Sequence, residues 1–185
     1  YWLHLALLKK NVNSYILTNS KNNLNSNKIH ALSKNFISRL KFSFLTRAVE
    51  VLKLPYYTRD KKIFSTGFDG IDITKHQLYK NADIINFHWI NGLVNIGSMK
   101  NISKPIVWTI RDMWPMTGGC HYVLNSCKKF EKNCGRCPSL NSRQKQDLSY
   151  KIHQNKIKNY PIKNLSIVGI SKWISNHAKN SAVFK

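Results

Sequence analysis

Pro105-Ile-Val-Trp-Thr-Ile110 is a short apolar run closed at once by the polar pair Arg111-Asp112. A run of this length, rich in β-branched residues and cut off by polar ones, reads as a strand. Working outward, Asp83-Ile-Ile-Asn-Phe-His88 reads as a second strand, followed directly by Trp89-Ile-Asn-Gly92. Leu165-Ser-Ile-Val-Gly-Ile170 reads as a third, with Ser171 as the N-cap of a helix over 173–179. Tyr15-Ile-Leu is a further short strand. Helical spacing appears over 36–54, where Ile37, Leu40, Phe44, Ala48 and Val51 recur and Pro55 stops the run. It appears again over 147–159, at Leu148, Ile152 and Lys156 or Ile157, and a short helix is expected around 96–100. Residues 1–10 read as a buried helix with Tyr1, Leu5 and Leu8 on one stripe. Residues 18–27 read as a polar loop, and 63–73 as irregular structure or a short strand. Short apolar strands alternating with helices predict an α/β fold, a parallel sheet wrapped by helices. In such sheets ligands sit beyond the carboxyl ends of the strands. His88, Trp89, Arg111, Asp112 and Ser171 all fall there.

The 185 residues suit about one domain at roughly 150 residues each. Hydrophobic residues are 42% and charged residues 21%, a globular balance that excludes wholesale disorder. No apolar run reaches the roughly 18 residues needed to span a bilayer. The formal charge is +22 and the pI about 10.1, which attracts anionic partners: nucleic acid, a membrane surface or phosphorylated substrates. The lysines are dispersed along the chain, and Lys, Asn and Ile are enriched together, as coding bias produces. Dispersed charge does not make a nucleic-acid patch. The first residue is Tyr1, and its apolar run precedes Lys9-Lys10, the reverse of a signal peptide. The opening reads as a helix entered partway, in a chain truncated at its start.

The segment 111–140 is long and holds Gly118, Gly119 and all four cysteines, and a connection of that length is usually functional. Cys120, Cys127, Cys134 and Cys137 have the spacing C-x6-C-x6-C-x2-C. Cys134-Gly-Arg-Cys137 is a natural half-site for a structural zinc ion, while the first pair is wider than usual. His121 can replace one thiolate. Two disulfides compete with this reading, in three pairings, and free thiols are a third state. A closed four-thiolate set would pin a loop and not catalyse. Asp112 can act as a base or orient a partner. The Gly118-Gly119 pair lets backbone approach a ligand closely, and Trp89 and Trp114 suit stacking on sugars or bases. There is no Walker-type phosphate loop, no complete G-x-G-x-x-G, and no Ser-His-Asp triad that spacing alone can propose.

Three stretches together resemble a known family. They are Asn86-Phe-His-Trp-Ile-Asn-Gly92, the run Trp108-Thr-Ile-Arg-Asp-Met-Trp-Pro-Met-Thr-Gly-Gly-Cys-His-Tyr122, and Cys134-Gly-Arg-Cys-Pro138. With Ile167-Val-Gly-Ile-Ser-Lys-Trp173 they are similar to the family 4 glycosyltransferases of the bacterial colanic-acid and exopolysaccharide type. The resemblance is strongest from 83 to 173. It implies a GT-B architecture of two Rossmann-like domains, of which residues 1–185 form the N-terminal, acceptor-binding one. The first strand and the C-terminal donor domain would then lie outside the chain. It implies transfer of a sugar, with retention, from a nucleotide-sugar (UDP- or GDP-linked) to a glycan or lipid-linked acceptor, with no metal in the chemistry. On that resemblance Asp112 and His88 are the expected catalytic residues. Trp89, Asn91, Gly92, Arg111, Trp114, Thr117, Gly118, Gly119, His121, Tyr122, Ser171 and Lys172 are the expected acceptor-binding ones. The expected location is the cytoplasm, at the anionic inner face of the plasma membrane, with no nucleic acid as partner.

One departure matters. The family has His where Arg111 stands, and Arg cannot serve as a base at neutral pH. It can bind phosphate or carboxylate instead. Two other readings stand beside the enzyme fragment. One is a basic, zinc-containing nucleic-acid-binding module, and the other is a carbohydrate-binding pseudoenzyme.

Overall fold

The computed structural model describes residues 1–19, 26–32, 64–124 and 126–185. The helix expected over 36–54 lies outside them. The described chain is α/β, with two small parallel sheets and flanking helices. Helix α1 spans Trp2–Lys9 and leads to strand β1, Ile16–Thr18, which pairs in parallel with β2, Ile29–Ala31. Helix α2 is the single turn Gln77–Asn81. Strands β3 (Ile85–Phe87), β4 (Ile106–Ile110) and β5 (Leu165–Gly169) form a second parallel sheet in the order β3-β4-β5. Helix α3, Leu148–Asn159, connects β4 to β5, and α4, Lys172–Asn180, follows β5. The expected short helix near 96–100 is a 3-10 stretch, Ile96–Asn101.

The middle strand is the core. Ile106, Trp108 and Ile110 of β4 share one face and are almost fully buried, as period-two geometry requires. Trp108 meets Phe87, Tyr160 and Phe184 edge-on, with ring centroids 5.9, 5.4 and 6.4 Å apart. Its indole N–H donates to the His88 carbonyl at 3.1 Å, tying the end of β3 to β4. Burial of each such large side chain stabilises by about 1.5–3 kcal/mol.

One expectation is corrected. Helix α1 is not buried: Trp2 is 86% exposed, Tyr1 and Leu3 are exposed, and His4 is its buried residue. Its apolar residues surround the axis and make no single stripe, so no one face can be the inner one. Two elements had no forecast. β2 is Ile29-His-Ala, too short to show alternation, and α2 starts from a His76 cap rather than a Ser or Asp.

Helix α3 starts at Asp147, whose Oδ1 accepts from Tyr150 N at 3.1 Å and from the Ser149 hydroxyl at 2.6 Å. Its inner stripe is Leu148, Ser149, Ile152, His153 and Lys156. The Lys156 side chain is fully buried. It donates to the carbonyls of Trp114 and Thr117, the latter at 2.9 Å, and lies 4.1 Å above the Trp114 ring. The carbonyls between are capped too. Tyr160 Oη donates to Pro115 O at 3.1 Å, and Ser181 Oγ donates to Met116 O at 3.3 Å. Four consecutive buried carbonyls of an irregular segment are thus paired from one side, which buried backbone demands.

Two predictions follow from this helix face. Lys156→Met fills the space but strands the Thr117 carbonyl and leaves the Trp114 carbonyl only the Thr117 N–H at 3.3 Å, so chemical unfolding should read a loss of about 1–3 kcal/mol. His153 is fully buried and neither ring nitrogen makes a hydrogen bond of good geometry. Burial, then the neighbouring Lys156 charge, pushes it down to about 4, against the Phe130 and Met116 carbonyls. Its folded pKa lies below the ordinary 6.5, so between pH 6.5 and 4 the unfolded chain binds the proton first. Stability should be full above that window and fall on acidification through it, by on the order of 3 kcal/mol. His153→Leu should flatten that part of the pH–Tm curve.

Candidate functional site

Two turns leave the carboxyl ends of neighbouring strands and meet. After β3 comes His88-Trp-Ile-Asn-Gly92. After β4 comes Arg111-Asp112, then a 3-10 turn at Trp114–Met116 and the Gly118-Gly119 pair. Asp112 Oδ1 accepts from Trp114 N at 3.0 Å, which starts the 3-10 turn. Asp112 Oδ2 lies 2.8 Å from His121 Nδ1. His121 Nε2 lies 2.9 Å from Ser65 Oγ, and Asn91 Nδ2 donates to that same oxygen at 2.9 Å. One assignment satisfies every donor: Asn91 to Ser65, Ser65 O–H to His121 Nε2, and His121 Nδ1–H to Asp112. Ser65, His121 and Asp112 therefore form a serine–histidine–aspartate series. Their positions along the chain gave no hint of it, because Ser65 arrives from the irregular segment before β3.

Gly119 is what lets Ser65 in. It has φ +124°, and a Cβ there would come within 2.5 Å of the Phe64 ring. Phe64 bridges antiparallel to Cys120, and Ser65 N donates to Gly119 O at 2.9 Å. Ser65 O in turn accepts from the Trp114 indole at 2.9 Å. Gly118 is equally crowded, because a Cβ would lie 2.2 Å from the Ser149 carbonyl of α3. The space beside both glycines is taken by the chain's own atoms, and both are buried.

The His121 ring is 1% exposed and stacks with two indoles. Trp89 stacks on it at 5.0 Å and 21°, and Trp114 at 6.2 Å and 17°. Trp114 is buried, while Trp89 is 59% exposed. Beside it, Arg111 Nη2 lies 3.4 Å from His88 Nδ1, and both side chains are exposed. Arg111 is always charged, so this contact needs His88 Nδ1 as a neutral acceptor. Burial, and then the Arg111 charge, push His88 below its ordinary value. His88 and Asp112 are not hydrogen bonded to one another: His88 meets Arg111, and Asp112 meets His121. Among the other expected residues, Thr117 is buried and its hydroxyl donates to Cys120 O at 2.6 Å. Tyr122 is exposed. Ser171 caps α4 by accepting from Ile174 N at 3.2 Å, and Lys172 is exposed beside it. Gly92 takes φ +72° at the turn after Asn91, whose Oδ1 is buried without a partner.

The four cysteines are free thiols lining one cavity with Val123, Leu124 and Phe130. Burial pushes the Cys120 thiol up to about 11 and Cys134 to about 12, and raises Cys137 as well. Among the described residues, no three Cys, His, Asp or Glu side chains are gathered to ligating distance. No helix among them is long and apolar enough to cross a membrane. Comparison with family models, curated proteins and solved structures gives no match.

Sequence reasoning named Asp112, His121, Trp89 and Asn91 but missed Ser65 and Lys156. Ser65 carried no signal. Lys156 did, as a charged residue on an apolar helical stripe. If the series is wired as assigned, Asp112→Asn removes the carboxylate that selects the His121 tautomer. Nitrogen NMR of the imidazole should show the Nδ1–H form in the wild type and a mixture of tautomers in the variant.

Proposed function

We propose that this chain forms the acceptor side of a sugar-transfer cleft, in an enzyme that uses a nucleotide-sugar donor. The observation that carries the reading is the exposed Trp89 ring, laid flat on a buried, hydrogen-bonded His121 at the carboxyl edge of a parallel sheet. A rigid indole face in that place suits the apolar C–H face of a pyranose, because little side-chain freedom is lost on binding. His88 stands beside it as a neutral imidazole whose Nδ1 accepts from Arg111, which leaves its Nε2–H to donate to a sugar hydroxyl. Arg111 adds a fixed positive charge that suits the phosphate of a lipid-linked acceptor. Asp112 and His121 act here as positioning residues beneath Trp89. The +22 charge supports work at an anionic membrane face. The resemblance of 83–173 to bacterial surface-polysaccharide glycosyltransferases points the same way. The GT-B architecture and a nucleotide-sugar site in a second domain belong to this proposal.

The test is binding by calorimetry and saturation-transfer NMR, with oligosaccharides and a polyprenyl-pyrophosphate saccharide as probes. The wild type should bind at least one saccharide class, Trp89→Ala should weaken it tenfold or more, about 1.4 kcal/mol, and Arg111→Ala should weaken only the pyrophosphate-linked one. With nucleotide-sugar added, the 185-residue chain should transfer nothing by itself. Absence of saccharide binding, together with duplex DNA binding of steep salt dependence, would replace this reading with the nucleic-acid one.

A further inference from the structure

The sugar-transfer reading gives Ser65 no task, yet its hydroxyl heads a hydrogen-bonded series of three side chains. His121 Nε2 lies 2.9 Å from Ser65 Oγ, and Asp112 Oδ2 lies 2.8 Å from His121 Nδ1. A hydroxyl becomes a nucleophile when a base stands within about 2.6–3.2 Å of it and a third group orients that base. Both conditions are met here.

The backbone on each side of Ser65 is pinned. Its N–H donates to Gly119 O at 2.9 Å, its carbonyl accepts from the Trp114 indole at 2.9 Å, and Phe64 before it bridges Cys120. After it, Thr66 is buried, and Gly67 takes φ +69° where a Cβ would lie 2.3 Å from Ile96 Cδ1. Oγ is therefore fixed relative to the imidazole, as a reacting pair must be. Ser65 is itself only half-buried, whereas the stacked His121 ring is shut off from water. Hydrogen bonds to a base so shielded are strengthened by the low local dielectric.

Asn91 completes the arrangement. Its Nδ2 donates to Ser65 Oγ at 2.9 Å, and its Oδ1 makes no hydrogen bond among the described residues. The amide is thus held through Ser65 alone. It can pass its N–H from Oγ to the oxygen of a carbonyl that Oγ attacks, which is the task of an oxyanion donor. A neutral amide donor matches a carbonyl oxygen rather than the full charge of a phosphate.

We propose that Ser65 is the nucleophile of an ester-cleaving site for acyl esters, with His121 as its general base and Asn91 as the oxyanion donor. As Oγ bonds to the acyl carbon, the Ser65 proton passes to His121 Nε2. The ester C–O bond then breaks, and the leaving alcohol takes that proton. Water gives a proton to the same nitrogen, bonds to the acyl carbon and releases the carboxylic acid, and Ser65 recovers its hydrogen. Water is the one co-reactant. Asp112 is a positioning residue, which holds Nδ1–H so that Nε2 faces the serine. The proposal does not depend on the sugar-transfer reading.

The test is labelling of the folded wild-type chain with a fluorophosphonate probe, the adduct being located by tandem mass spectrometry. Ser65 should carry the phosphonyl group, and the chain unfolded in urea should carry none there. 4-Nitrophenyl acetate should be turned over, and the trapped acetyl group should be found on Ser65. Ser65→Ala should lose both reactions. Asp112→Asn keeps the serine and should slow labelling by about a hundredfold or more. Circular dichroism shows whether that variant is folded, and the wild-type result decides whatever the variants do. A folded wild type with no adduct on Ser65 overturns the proposal. So does acetylation confined to lysines and other histidines, or a folded Asp112→Asn variant that labels at the wild-type rate.

Discussion

A single buried ammonium organises the functional half of this molecule. The segment from Asp112 to His121 must leave β4, turn sharply and stay inside the protein, and its irregular course gives its carbonyls no strand to pair with. Lys156 solves this by reaching from α3 to two of them, with Tyr160 and Ser181 covering the two between. Burial pulls the Lys156 ammonium down to about 7, against the opposing pull of Cys120, Cys134 and Asp112. The Trp114 face 4.1 Å below it supplies a further cation–π contact, worth the most where water is excluded. The segment is therefore rigid because its backbone polarity is spent inward.

Rigidity passes outward in steps. Lys156 and Trp114 set the floor. Trp114 donates to Ser65 O and stacks beside His121, Asp112 holds His121 through Nδ1, and Ser65 holds it through Nε2. Trp89 stacks on the same ring. An imidazole with both nitrogens engaged cannot rotate, so the exposed indole above it is presented at a fixed angle. Hydrogen bonds of this kind each contribute modestly to stability, and their larger effect is to select one arrangement.

Much of the scaffold was legible in the residues. β3, β4 and β5 are short apolar runs closed by polar residues, and α3 shows its 3.6-residue stripe between Asp147 and Asn159. These signals survive because each is local. The stripe through 148, 152 and 156 or 157 left its last position ambiguous, and hydrophobicity alone favoured Ile157. The fold instead buries Lys156 and leaves Ile157 37% exposed. Unpaired carbonyls opposite outweighed the cost of desolvating an amine, and nothing in the helix's own residues announces those carbonyls. The same holds for Ser65. Its partner His121 is brought to it by the Phe64–Cys120 bridge, a long-range pairing that no periodicity encodes. The apolar character of α1 misled for the opposite reason, since apolar residues on every side define no inward face.

The two glycines at 118 and 119 join the cysteine cavity to the rim. Gly118 lets α3 approach until the Ser149 carbonyl sits where a Cβ would be, and Cys134 Cβ is 2.9 Å from the same point. Gly119 lets Phe64 and Ser65 close from the other side. Any side chain at either position would push α3 or segment 64–66 away, and would open both the thiol cavity and the Ser65–His121 contact at once. The chain thus has no independent loop for its cysteines and another for its site. One turn serves both, so the packing around Gly118 and Gly119 also sets how His121 meets the indole at the rim.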